Sequence, residues 1–287
     1  YRIAPKGFQP NNPKLDLSTV RGQLAALQSP AVNVRALGAQ ALEEQGDAVE
    51  SDVATLLNHD NEYIQARALW VLSRLGPQGL KWVESSLSSC NEKRRIVAFR
   101  ALRRQWQGTD RQDDFLKMAA RMALDESPAV RREVALSMRN ESLENAQEIL
   151  VTIAKGFDGK DRHYLEAIGT GAAKKESGVY HAIAEAMGAL DHNGDDWSDA
   201  FSWIAWRLGA TEAIAGLAQR TQSDSLSLSD RKLALDALAF INCTTSVSAV
   251  MDVAANEKHP LRGEAIWWLL NRKNNHCQRM LAKNFAS

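Results

Sequence analysis

The sequence predicts an all-α fold, an α-solenoid of about eight stacked helical hairpins, on three observations. A short phrase recurs eight times at intervals of 30 to 36 residues; in it a small residue is followed, three and four positions later, by a small and then a large residue. A fixed period of this length is typical of stacked helical repeats. An apolar stripe with helical spacing precedes every phrase, and no stretch alternates as a strand would. The phrases begin at Ala36, Ala68, Ala98, Val134, Ala167, Ala200, Ala234 and Ala265.

Each hairpin is predicted to carry its apolar stripe on the first helix and its phrase on the second. The stripes lie, in chain order, in residues 20–27, 53–57, 80–87, 115–122, 149–153, 179–187, 214–217 and 247–251. Ser29-Pro30 and Ser127-Pro128 are predicted to place a capping hydroxyl before a first-turn proline. Gly46, Gly76 and Gly209 fall where second helices should end.

Three segments are predicted along the chain. Residues 1–15 contain three prolines and no helical period, which is typical of an extended linker. Residues 16–273 form the repeat array, which can grow as one body because each repeat contacts only its neighbours. Residues 274–287 are a C-terminal tail or a capping helix. The first residue is Tyr1 rather than Met, so we expect a piece of a longer protein whose targeting signals lie elsewhere.

Composition and motifs favour a binding protein over an enzyme. The 35 basic and 35 acidic residues cancel, and general nucleic-acid binding needs a basic excess. No apolar run approaches the roughly 20 residues of a membrane span. The three cysteines form no C-x-x-C motif, and no metalloprotease, nucleophile-elbow or phosphate-loop motif occurs. We therefore expect no catalytic residues and no cofactor.

The phrases, together with the helix start at Ser29–Arg35, resemble HEAT repeats over about residues 16–273. From the middle of the chain the resemblance is to the HEAT segment of large exported proteins of planctomycete-type bacteria, often named putative membrane-bound dehydrogenases or haem-binding proteins. The stretches that carry it are 130–139, 157–171, 197–208, 231–240 and 265–273.

This resemblance implies a right-handed solenoid of HEAT-like hairpins between a β-propeller and a cytochrome c domain. It also implies a periplasmic or exported location, and neighbouring domains of the parent chain, or another protein, as partners. It supplies no catalytic residues, and it makes the segment a scaffold rather than an enzyme.

The most specific segment in this resemblance is Phe157–Tyr164. Asp158-Gly159 indicates a turn, and Asp161 is suited to cap the next helix. Lys160, Arg162, His163 and Tyr164 would then face a partner. The alternative is a structural turn between helices, with the histidine and tyrosine packed on the next repeat.

Two further sets of residues are candidates for partner binding. Trp197 and Trp206 are candidates for an exposed aromatic row that docks a partner or stacks on sugars, with core filling as the alternative. Arg100 and Arg104 lie in residues 91–140, which hold 12 basic and 7 acidic residues. This excess of positive charge would orient a partner electrostatically. The alternative is that the basic side chains form ion pairs between repeats.

A calcium site is a weaker candidate. Asp191, Asn193 and Asp195 place oxygen ligands at positions 1, 3 and 5 of a potential calcium loop. Position 6 is Asp196 rather than glycine and position 12 is Ser202 rather than glutamate, which excludes an EF-hand. A looser site or a solvated loop remains.

Three functions are compatible with these observations. The first is a non-enzymatic protein-interaction scaffold, in a larger dehydrogenase-like redox protein. The second is a carbohydrate-binding module that uses exposed tryptophans. The third is a DNA-binding protein like the glycosylases built from HEAT-like repeats, which the zero net charge disfavours.

Overall fold

The protein is all-helical over the residues that its structure describes. The structure, a computed structural model, describes residues 5–8, 14–190 and 193–272. Within these ranges sixteen α-helices are joined by turns and short 3₁₀ segments, and no strand occurs. The all-α prediction is therefore confirmed. None of these helices is long and apolar enough to cross a membrane.

The chain divides into two compact units, Tyr1–Phe115 and Leu116–Ser287, with the boundary inside α7. The helices up to that boundary are α1 (Val20–Gln28), α2 (Val32–Glu43), α3 (Glu50–Thr55), α4 (Glu62–Leu72), α5 (Pro77–Ser86), α6 (Glu92–Trp106) and α7 (Gln112–Met122). Those that follow are α8 (Pro128–Ser137), α9 (Leu143–Lys155), α10 (Arg162–Gly171), α11 (Glu176–Ala186), α12 (Asp199–Leu208), α13 (Ile214–Gln222), α14 (Leu228–Phe240), α15 (Thr244–Ala255) and α16 (Arg262–Arg272).

Helices of alternate number pack together within each unit. In the first unit α2 contacts α4, α4 contacts α6, and α3 contacts α5. In the second, the even-numbered helices from α8 to α16 each contact the next, while α9 contacts α11 and α13 contacts α15. Within each unit, even-numbered helices therefore pack on even-numbered ones, and several odd-numbered helices pack on odd-numbered ones.

All eight sequence phrases lie on even-numbered helices, and the apolar stripes lie on, or at the ends of, odd-numbered ones. The small residue of the phrase is fully buried in most of them, as at Ala68, Ala98 and Ala234. The first phrase is two residues out of register, because Ala36 is exposed. Gly38 takes its place, and a Cβ there would lie 2.8 Å from the Ala26 Cβ of α1. The first interval is therefore 30 residues rather than 32.

Five positions were predicted to start or end helices, of which two are confirmed as caps. Gly46 and Gly76 lie beyond Glu44 and Ser73, which cap the ends of α2 and α4, and Ser29 is wrong as a helix start. Ser127 caps α8 by accepting a hydrogen bond from the Ala129 amide, with Pro128 in the first turn. Gly209 ends α12 in the left-handed conformation at φ 59°. Ser29 instead ends α1, and α2 begins two residues later than predicted without a side-chain cap. Its hydroxyl accepts from the Ala31 amide, so it shapes the turn rather than the helix start.

A polar side chain three positions before the small residue ties most hairpins together. It donates a hydrogen bond to a main-chain carbonyl at or near the end of the preceding odd-numbered helix, where carbonyls lack helical partners. We call this contact the hairpin tie. The ties are Arg35 to Ser29 (3.2 Å), Gln65 to His59 (2.7 Å), Arg95 to Ser89 (2.8 Å), Arg131 to Asp125 (2.7 Å), Tyr164 to Ile153 (2.8 Å), Arg231 to Thr221 (3.1 Å) and Arg262 to Ala254 (3.1 Å).

We predict that Arg131→Ala lowers the free energy of unfolding by about 2–3 kcal/mol, because two part-buried acceptors, the Asp125 carbonyl and the Tyr164 hydroxyl, lose this donor. Arg131 donates to the carbonyls of Asp125, Glu126 and Gly156 and to the Tyr164 hydroxyl. Urea unfolding followed by circular dichroism measures the loss. Arg132→Ala is the control: among the described residues it removes a single 3.7 Å ion pair, with Asp161, worth at most about 1 kcal/mol. Equal losses in the two variants would contradict the role of the tie.

Candidate partner-binding surface

The segment before α10 is a compact turn that fixes the start of that helix. The Asp158 carboxylate accepts hydrogen bonds from the amides of Lys160 (2.8 Å) and Asp161 (3.0 Å). These bonds hold the pKa of the Asp158 carboxyl below its ordinary value. Asp161 caps α10 by accepting from the His163 and Tyr164 amides, as predicted. The side chains of Lys160 and His163 are exposed.

Tyr164 lies in the core rather than on the surface. It is 2% exposed, and its ring stacks on Phe157 with centroids 5.9 Å apart. Its hydroxyl donates to the Ile153 carbonyl and accepts from Arg131 Nε at 2.8 Å. Burial raises the pKa of this phenol, although the bond from Arg131 opposes the rise. Tyr164 therefore contributes a hairpin tie, and in this structure it is not available to a partner.

Arg162 and Trp206 form the centre of a charged and aromatic patch on α10 and α12. The Arg162 guanidinium lies 4.5 Å from the centre of the Trp206 ring and pairs with Glu166 at 2.6 Å. Arg207 of α12 reaches the same carboxylate at 2.5 Å. Arg207 can do so because position 169 is glycine, where a Cβ would lie 2.2 Å from the Arg207 Cζ.

Trp206 also packs edge-on against Trp203, with ring centroids 5.7 Å apart. Both indoles are partly exposed. Residues three apart on a helix share one face, and Trp203 and Trp206 do so on α12.

Trp197, in contrast, is a core residue. It is 7% exposed, meets Phe201 edge-on at 5.0 Å, and lies over Gly216 of α13. It stands three positions before Ala200, where other repeats place a hairpin tie, and its indole nitrogen has no hydrogen-bond partner among the described residues. Trp197 therefore lies outside the exposed aromatic row that was predicted to include it.

The candidate calcium loop is packed against α13 by protein hydrogen bonds. Asp191 lies outside the described residues. Asn193 Oδ1 accepts from the Asp195 amide, and Asp195 Oδ2 accepts from the hydroxyl of Ser223. The carbonyl of Gly194 accepts from Arg220 at 2.7 Å. Within the described ranges, no three acidic, histidine or cysteine side chains are grouped as metal ligands.

Arg100 and Arg104 are exposed one turn apart on α6, in the first unit. Neighbouring arginines of the basic stretch are used internally: Arg94 donates to the Leu57 carbonyl, and Arg95 forms a hairpin tie. Much of the basic excess between residues 91 and 140 therefore binds main-chain oxygens of the protein itself.

The sequence did not predict that Trp267 and Trp268 lie beside acidic residues. Trp268 of α16 donates from Nε1 to Asp236 of α14 at 2.8 Å, and its ring meets that of Trp267 with centroids 4.8 Å apart. Trp267 is 55% exposed. The repeat pattern does mark these tryptophans as unusual. Trp268 and Trp203 both stand three positions after the small residue of their phrases, where the phrase otherwise has a second small residue.

The partly exposed indoles of the second unit thus lie on even-numbered helices, two on α12 and two on α16. We call Trp203, Trp206, Trp267 and Trp268, with the charged residues that contact them, the tryptophan face. Tryptophan and arginine are enriched among the residues that contribute most to protein–protein binding. Chemically this face can bind and orient a partner.

We predict that Glu166 contributes stability that is lost in acid. Burial raises the pKa of its carboxyl, but Arg207 and Arg162 outweigh that effect and hold the pKa below its ordinary value of 4.5. A lowered pKa in the folded state means that the contribution is complete above pH 4.5 and disappears as the pH falls through the lowered value. The side chain is 40% exposed, so the effect should be under about 1 kcal/mol. Unfolding free energies between pH 3 and 6 should fall more steeply in the native protein than in Glu166→Gln; parallel curves would contradict this.

We also predict that Gly216→Ala destabilises the protein by about 1–3 kcal/mol, since the new methyl overpacks a filled site. A Cβ at position 216 would lie 2.3 Å from the Trp197 ring. Gly263→Ala is the matched control on α16, because no atom lies within 4 Å of a Cβ there. The control should be neutral or gain up to about 1 kcal/mol from helix propensity. Thermal unfolding measures both, and a neutral Gly216→Ala would mean that Trp197 is not held against α13.

Comparison with known proteins assigns no family to this fold and surface. No family model matches the sequence. No curated protein matches it at a significant level. The function must therefore be inferred from the residues and contacts described above.

Proposed function

We propose that the chain is a non-enzymatic interaction module, and that the tryptophan face of its second unit binds the partner. The observation that carries this proposal is the 55% exposure of Trp267 beside the half-buried Trp268. Leaving a large indole in water is unfavourable, and removing it from water favours binding. Residues of this type, set among charged groups, are typical of the centre of an interface.

A HEAT-like solenoid of about eight hairpins is the arrangement we propose for the helices. Its support is the alternate packing within each unit and the placement of all eight phrases on even-numbered helices. Pairs about one repeat apart add to it, such as Arg74 with Glu43 and Lys93 with Glu62. An array of this kind presents one row of helices as an extended surface, which suits binding rather than catalysis.

We further propose a setting, from the sequence resemblance alone: an exported or periplasmic redox protein in which this module holds a dehydrogenase-like domain and a cytochrome domain together. The coding sequence on either side of the segment tests this directly. A propeller-like region before Tyr1 and a haem-attachment motif after Ser287 would support the setting. Without them the proposed partner would be a separate protein.

Sugar binding is the second candidate, and Trp267 is the residue that favours it. An indole with one free face can stack on a pyranose ring. The candidate draws less support from the other tryptophans, because Arg162 covers a face of Trp206 and Trp197 is buried. Unchanged tryptophan fluorescence across a panel of oligosaccharides would dismiss it.

We predict that Trp267→Ala weakens binding of the neighbouring parent domains, or of a separate partner, by at least tenfold, as expected for an anchor residue. Isothermal titration calorimetry with the purified partner measures the change. Trp82→Ala is the matched control, since Trp82 is 39% exposed on α5 in the first unit and donates to Glu50. The control should change the affinity less than twofold. Equal effects, or unchanged binding in both variants, would remove the tryptophan face as the binding surface.

A further inference from the structure

An open cleft lies between α14 and α16, at one end of the tryptophan face. Its cavity volume is about 590 Å³. Lys232 and Asp236 line it from α14, and Gly263, Glu264, Trp267 and Trp268 line it from α16. A Cβ added at Gly263 would meet no atom within 4 Å, so the helix leaves this side of the cleft clear.

Of the two indoles that line the cleft, Trp268 is held in place by its neighbours and Trp267 is exposed. Trp268 is fixed at its nitrogen by the 2.8 Å hydrogen bond to Asp236 and at its ring by Phe240, with centroids 5.0 Å apart. Trp267 meets Trp268 edge-on and remains more than half exposed. An indole presented in this way attracts a cation to its face, because the ring carries negative charge above and below its plane.

The charges in the cleft favour the same kind of ligand. Two carboxylates face a single lysine. Lys232 contacts Asp236 only at 3.6 Å and is itself 48% exposed, so the pair is loose. Glu264 makes no ion pair within the part of the chain that the structure describes. A cationic ligand would supply the positive charge that this side of the cleft lacks.

We propose that this cleft binds an arginine or lysine side chain of the partner, with the cation over the Trp267 ring and paired with Glu264. A guanidinium fits best, since it stacks flat on an aromatic ring and bonds a carboxylate with two nitrogens. A neutral sugar could stack on Trp267 but would leave Glu264 uncompensated. This inference rests on the proposed function and names the partner's chemistry at one point of the tryptophan face.

The test uses blocked arginine (N-acetyl-arginine amide), blocked lysine and blocked citrulline with the whole chain. Citrulline has nearly the shape of arginine without its charge. Indole N–H signals in ¹H–¹⁵N spectra report binding, and Trp267→Phe and Trp268→Phe assign them. We expect arginine to shift the Trp267 signal, citrulline to bind at least tenfold more weakly, and added salt to weaken arginine binding. Citrulline binding as tightly as arginine, or a neutral oligosaccharide shifting Trp267 where arginine does not, would overturn the proposal.

Substitutions of the charged residues separate the contribution of the cleft's charges to binding from that of the Trp267 ring. Glu264→Gln should weaken arginine binding at least fivefold, while Lys232→Gln should strengthen it by removing the competing ammonium. Asp252→Asn, an exposed carboxylate on α15, is the control and should leave binding unchanged. Circular dichroism checks that each variant is folded. An unchanged affinity in Glu264→Gln would exclude the carboxylate.

The same variants separate this inference from the proposed function. If Trp267→Ala weakens binding of the whole partner and Glu264→Gln does not, the face binds the partner but the cleft does not take a cation. If neither variant changes that binding, the tryptophan face is not the interface.

Discussion

The hydrogen bond from the start of one helix to the carbonyls at the end of the helix before it is the contact on which this structure depends. The carbonyls in the last turn of an α-helix, and those in the turn that follows it, have no helical partner, and leaving them unpaired beneath the next helix is costly. Seven side chains supply the missing donor from equivalent positions, and five of them are arginines. Arginine suits this role because its several N–H groups can reach two or three carbonyls at once. The tie sets the turn between the helices, and the turn sets which side of the second helix is buried.

The repeat around α12 lacks the tie and is held differently. Trp197 occupies the position of the donor but fills space instead, with its ring over Gly216 and its edge on Phe201. The loop before it is held by Arg220, whose guanidinium donates to the Gly194 carbonyl. Burial of Arg220 lowers the pKa of its guanidinium, an effect that nearby carboxylates oppose. In this repeat, packing of the Trp197 ring replaces the hydrogen bond of the hairpin tie. The polar loop that resembles a calcium site is therefore part of a packed turn.

Because the ties and the small residues satisfy the buried sides of the even-numbered helices, their other sides are free to carry large aromatic groups. On α12 those groups are covered in part by Arg162, whose charge is already balanced by Glu166. On α16 Trp267 is more open, at 55% exposure, and Glu264 beside it has no ion pair among the described residues. The tryptophans of α12 and α16 therefore differ in what they offer to a partner.

The sequence by itself determined the helices, their number in the described ranges and the buried side of the even-numbered helices after α2, because these follow from local propensity and from a period that the phrases repeat. Cap positions such as Ser127 and Asp161 were also readable, since capping is a contact over two or three residues. Only the tertiary structure decided which individual side chains are buried and which contacts they make. Tyr164 and Trp197 proved to be core residues, Gly38 replaced Ala36 at the first close contact, and Trp267 with Glu264 formed an open cleft. The reason is physical: exposure and pairing depend on atoms of other helices, such as Ala26 for Gly38 and Asp236 for Trp268, and a pattern within one helix carries no record of them.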